Sequence, residues 1–138
     1  MMLFLAGAVV GQSEAPDSAF VTTNGRFWVQ LTHDEKLVYV VAVQSAANGF
    51  TILSILQGDE PFLKNFSKLS KPLLPAMRNT ETVGELDLFY DEAANAPIFI
   101  FDAMRWVSNK AGGMSKAELE DMTKALRSIA ATVSQIEP

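Results

Sequence analysis

The sequence predicts an all-α protein, a compact irregular bundle of four or five helices, and three observations carry that expectation. Helix start signals, a Ser or Thr followed three residues later by Glu, stand at Thr32/Glu35, Thr82/Glu85 and Ser115/Glu118. In each, the hydroxyl takes one free backbone N–H of the first turn and the carboxylate takes another. Apolar residues recur at three and four, most plainly at Leu119, Met122, Leu126, Ile129 and Val133, the period of a one-sided helix. Pro61, Pro72, Pro75, Gly112 and Gly113 fall between such segments, where helices stop.

In chain order, residues 1–12 hold an apolar run from Met2 to Val10 followed by small residues, the pattern of a secretory signal, although no Lys or Arg precedes it. Residues 13–27 read as a flexible, polar lead-in, and a single helical domain is expected over 28–138. Its first long helix starts at His33 behind Thr32 and is apolar nearly all round, with Asn48 and Gly49 expected either to break it or to let another backbone approach. From Leu37 to Gly58 there is no charged residue, a length that could cross a bilayer. Gln44, Ser45, Asn48 and Thr51 stand in its middle, however, and each needs a partner in lipid; no stable membrane insertion is expected. Phe62, Leu63, Phe66 and Leu69 fall at helical spacing and predict a short amphipathic helix.

Further on, Thr82 is expected to cap a helix whose buried side carries Leu86, Phe89 and Tyr90. The segment "APIFIFDAMRWV", 96–107, would pass for a strand at "PIFIF", but Pro97 suits a first helical turn and Asn95 a cap. Read as a helix over 97–111, it gathers Asp102, Arg105 and Asn109 into one polar stripe, expected to be structural. Phe99, Ala103 and Trp106 flank that stripe, and Phe101, Met104 and Val107 cover the far side. A last amphipathic helix is expected over 116–134.

The 138 residues carry a net charge of -5 with a sequence pI near 4.8, which argues against nucleic acid and against anionic lipid as partners. The charge is uneven: Lys64, Lys68, Lys71 and Arg78 precede Glu81, Glu85, Asp87, Asp91 and Glu92, so a dipolar surface is expected. There is no Cys, which removes disulfides, thiolate ligands and thiol nucleophiles together. His33 is the single histidine, and "HDEK" lacks the second His that a zinc helix requires. No Ser sits in a nucleophile elbow, and "DLFYDEAAN" lacks the ligand alternation and glycine of a calcium loop. The pairs Asp59/Glu60, Asp91/Glu92 and Glu120/Asp121 read as solvated charge, since neighbours on a helix point apart. "NKAGGMS" reads as a helix stop, not a phosphate loop. No catalytic residue, no metal and no cofactor is expected.

"FWVQLTHDEKLVYVVAV" and "TVGELDLFYDEAANAPIFIFDAMRWV", with Trp28, Leu31, Lys36, Tyr39, Val40, Thr82, Gly84, Leu86, Tyr90, Asn95, Pro97, Ala103 and Val107, together resemble the type VI secretion amidase immunity (Tai-type) group. The resemblance spans roughly residues 28 to 110 and consists of helix starts and apolar positions. It implies a periplasmic or secreted, all-helical, often dimeric protein without enzymatic activity that blocks a cell-wall amidase, so that a protein partner, and a homodimer, are expected. Loops on a helical scaffold commonly carry recognition, and the partner surface is therefore expected at Asp59, Glu60, Tyr90, Asp91 and Glu92. The alternative is a cell-envelope enzyme or small-ligand carrier working through a pocket between helices.

Overall fold

The structure is a computed structural model that describes residues 23–58, 61, 64 and 77–134. It is all-α: five helices and one 3-10 turn, with no strand among the described residues. Asn24 opens the first, its Oδ1 accepting from the Arg26 and Phe27 N–H groups, and α1 is a single turn, Gly25–Trp28. The last residues of the expected lead-in are thus ordered, because Trp28 at their end is wholly buried. Its indole N–H donates to Asp87 at 2.8 Å, and the Lys36 ammonium, lying over the indole ring, donates to the same oxygen at 2.7 Å. One carboxylate therefore ties three segments of chain together.

Helix α2, His33–Gln57, begins with the expected reciprocal cap: Thr32 N–H donates to Glu35 at 2.7 Å and Glu35 N–H to the Thr32 hydroxyl at 3.3 Å. It is unbroken through Asn48 and Gly49, so of the two alternatives expected there the break does not occur. A lone helical Gly costs only about 1 kcal/mol relative to Ala, less than stopping a helix anchored at both ends. The stop comes instead at Gly58, whose φ of 66° suits glycine and turns its N–H back onto Ile55 O. By length and composition α2 could cross a membrane, but Val40 and Ala47 are packed into the common core.

Helix α3, Asn79–Tyr90, starts four residues before the position expected from a cap at Thr82. The Arg78 N–H donates to Glu81 at 2.9 Å, while Thr82 is buried in the first turn, its hydroxyl donating back to Arg78 O. A 3-10 turn, Ala93–Asn95, follows. The next helix, α4, is Ile100–Ala111 behind Phe99, so Asn95 is not its cap and Pro97 is not in its first turn. The reason lies in the main chain: Gly25 N–H donates to Ile98 O, Arg26 N–H to Ala96 O, and Ile100 N–H to Thr23 O. These bonds, with the isolated bridge Asn24–Phe99, hold the 96–99 segment against α1, with Phe99 extended, and delay the helix. Helix α5, Lys116–Val133, has its reciprocal cap at Ser115 and Glu118.

One apolar cluster unites the helices: Trp28, Val40, Val83, Leu86, Ile98, Ile100, Met104 and Val107 are all at most 1% exposed. α3 lies between α2 and α4, and α5 packs on the far side of α4. Two expected burials fail. Phe101 is 44% and Ile129 52% exposed, because the late start of α4 and the line Leu119, Leu126, Ala130 on α5 turn other residues inward.

Hydrogen bonds to caps or to a neighbouring guanidinium hold three carboxyls below the ordinary glutamate value of 4.5: Glu35 through the Thr32 N–H, Glu81 through the Arg78 side chain, and Glu118 through the Ser115 hydroxyl. A folded-state value depressed below the unfolded one stabilises the fold above 4.5 and loses that stabilisation as pH falls through the lower folded value. The expected result is an unfolding midpoint that is flat above pH 5 and declines below 4.5, with a shallower decline in Glu118→Gln. Urea titrations at pH 7, 4.5 and 3 measure it.

Candidate functional site

Helices α3, α4 and α5 enclose an open groove of about 650 Å³. Its floor is aromatic. Phe89 and Trp106 face each other with ring centroids 5.0 Å apart, and the Trp106 N–H donates to Leu119 O at 3.3 Å, which fixes the indole against α5. The walls carry charge, four cations (Lys110, Lys116, Lys124 and Arg127) against two carboxylates (Glu92 and Glu120). On a protein of net charge -5, this is a local cationic rim.

Each rim charge is held by the helix that bears it or by a neighbour. Lys110 lies 5.5 Å from the Trp106 ring centroid, a cation–π distance, and pairs with Glu85 of α3. Arg127 donates from Nε to Asn95 at 2.9 Å and pairs with Glu92 through Nη2. Asn95 is 3% exposed and donates in turn to Phe89 O at 2.7 Å, so the 3-10 turn serves as a bracket for Arg127. Lys116 and Lys124 are mostly exposed and, among the described residues, pair with Glu120 and Asp121 of their own helix; such pairs are weak and leave the cations available.

Among the described residues that line the groove, the one hydroxyl, Thr123, donates to Leu119 O at 2.8 Å, and none is a histidine. Among the described residues no group of three or more His, Asp or Glu could hold a metal ion.

Of the residues expected at a partner surface, three, Tyr90, Asp91 and Glu92, are described. Asp59 and Glu60 lie outside the described residues. Tyr90 is 5% exposed, with its phenol donating to Ile98 O at 3.0 Å; burial pushes its pKa well above the ordinary value, so it remains a neutral donor in the packing. Asp91 and Glu92 are exposed, and Glu92 reaches the groove wall. In the polar stripe, Asp102 and Arg105 approach to 3.7 Å on half-exposed side chains, a pair contributing about 1 kcal/mol or less. Asn109 donates to the Met122 sulfur at 3.4 Å, joining α4 to α5. The groove cations escaped the sequence reading, although Lys116, Glu120, Lys124 and Arg127 recur at three and four along α5. The chain matches no family model, no curated protein and no solved structure.

Proposed function

We propose that this is an exported protein without enzymatic activity that binds another protein, in the manner of an immunity inhibitor of a cell-wall amidase. The observation that carries the binding role is the α3–α5 groove, where the half-buried Trp106, backed by the buried Phe89, offers apolar area and Lys110, Lys116, Lys124 and Arg127 offer positive charge to an apolar segment bearing carboxylates. The apolar run Met2–Val10 supports export. A groove of this size also falls in the range of small-molecule sites, roughly 300–1,000 Å³, which favours carriage of an amphipathic anion as a second reading.

The test is to search the neighbouring genes for a cell-wall amidase and to measure its binding and activity with the full chain by calorimetry and an activity assay. Tight binding with inhibition is expected. Trp106→Ala loosens it at least ~30-fold, the cost of losing a hot-spot aromatic of about 2 kcal/mol, and Lys116→Glu, on a side chain almost wholly in solvent, slows association without touching the fold. No binding to any amidase, with uptake of a small anionic amphiphile that Lys116→Glu weakens, would establish the carrier instead.

A further inference from the structure

Helix α2 presents its residues inside out. The side chains it buries are Val40, Ala47 and Ser54, while Val38 is 69%, Ile52 58%, Ile55 61% and Leu56 76% exposed. The outward residues are ordered. Val38, Val41, Ser45, Asn48, Ile52 and Ile55 are all exposed and follow one another at intervals of three, four, three, four and three, the seam of a two-helix coiled coil. That seam reads the same in both directions: two apolar positions, two polar, two apolar.

We propose that α2 is a dimer interface, its outward seam pairing antiparallel with the same seam of a second copy of this chain. A two-fold axis midway between Ala46 and Ala47 places Val38 against Ile55, Val41 against Ile52 and Ser45 against Asn48, each twice. The self-complementarity is what an isologous interface requires. The hydroxyl of Ser45 and the amide of Asn48 then satisfy each other at the centre of the contact, whereas in a bilayer they would lie unpaired near the midplane of α2. This polar layer fixes the register, since a slip by one heptad would set Ser45 and Asn48 against Val or Ile.

Room and area suit the contact. Ala42 and Gly49 flank the seam on one side, and a Cβ at Gly49 would meet nothing within 4 Å, so a second backbone can approach closely there. The overlap from Val38 to Ile55, 18 residues, is about 27 Å long and buries on the order of 1,000 Å², the threshold of a stable interface. The antiparallel arrangement also sets the N-terminus of each α2 beside the C-terminus of the other, where their dipoles attract. Val40 and Ala47, packed in the core on the opposite side, hold the seam outward.

Sedimentation equilibrium of the full chain between micromolar and hundred-micromolar concentration is expected to show a monomer–dimer equilibrium. Ile52→Glu, which places two desolvated carboxylates in the interface, weakens it at least ~100-fold with an unchanged far-UV circular dichroism spectrum. The absence of native Cys allows orientation to be read directly: Val41→Cys mixed with Ile52→Cys gives a disulfide-linked heterodimer under mild oxidation, and Val41→Cys alone does not. Three results overturn the proposal: a monomer at every concentration, a Val41→Cys homodimer indicating parallel helices, or a monomer that floats with phosphatidylcholine–phosphatidylglycerol vesicles and loses that flotation in Ile52→Glu.

Discussion

Trp28→Ala is expected to lower the unfolding free energy by about 4 kcal/mol, within the range for removing a buried Trp. The indole is 0% exposed and meets Tyr39 edge-on and Tyr90 at a tilt, with centroids 6.2 and 6.5 Å away. The side chains it meets belong to α2 and α3 and are fixed by their own contacts, so the void does not close. Losing the N–H also leaves Asp87 with Lys36 alone. Trp28→Phe separates the two effects: it keeps most of the apolar volume and removes only the hydrogen bond, at about 1–2 kcal/mol. Denaturant unfolding of the three proteins measures both steps. A loss below about 2 kcal/mol for Trp28→Ala would mean that α1 is not anchored to the bundle through this ring.

The helix starts were legible where the signal was local. Thr32/Glu35 and Ser115/Glu118 are satisfied within four residues, so nothing distant competes with them. Thr82/Glu85 has the same spacing and fails, because Arg78 and Glu81 form an earlier start that carries Thr82 into the core. The start of α4 was beyond local reading altogether. Asn95 and Pro97 make a sound local cap, but the carbonyls of Ala96 and Ile98 are claimed by Arg26 and Gly25, some 70 residues earlier. Competition of that kind is set by tertiary structure. The same holds for the candidate site. Its floor residues, Phe89 and Trp106, look like ordinary core in the sequence, and only the splay of α5 from α3 shows that they border a groove. On α2 the even spread of apolar residues gave the helix but not its inner face, since Leu37, Tyr39, Val40, Val43 and Ala47 pack on the core while the equally apolar Val38, Ile52, Ile55 and Leu56 stay exposed.

Gly25→Ala is expected to cost about 3 kcal/mol, the upper part of the range for overpacking, although it adds one methyl group to a helix and would ordinarily help. A Cβ at this position would lie 2.5 Å from Cε1 of Tyr90, closer still to Cδ1 of that ring, and 2.9 Å from the Cα of Ala96. The ring cannot swing aside, because its hydroxyl is bonded to Ile98 O and its face is packed on Phe89 and Trp28. Ala96 cannot retreat, because its carbonyl receives the Arg26 N–H, one residue from the new methyl. The strain must therefore be relieved by pulling α1 away from the 96–99 segment, which loosens Trp28 as well. Two measurements decide it. Urea unfolding gives the size of the effect, and Gly25→Ala repeated in a Tyr90→Leu background should cost less than in the wild type, since the ring is half of the obstruction. Equal costs in both backgrounds would place the collision wholly on the Ala96 backbone, and a cost below about 1 kcal/mol would mean that α1 and the 96–99 segment are not packed as closely as their hydrogen bonds require.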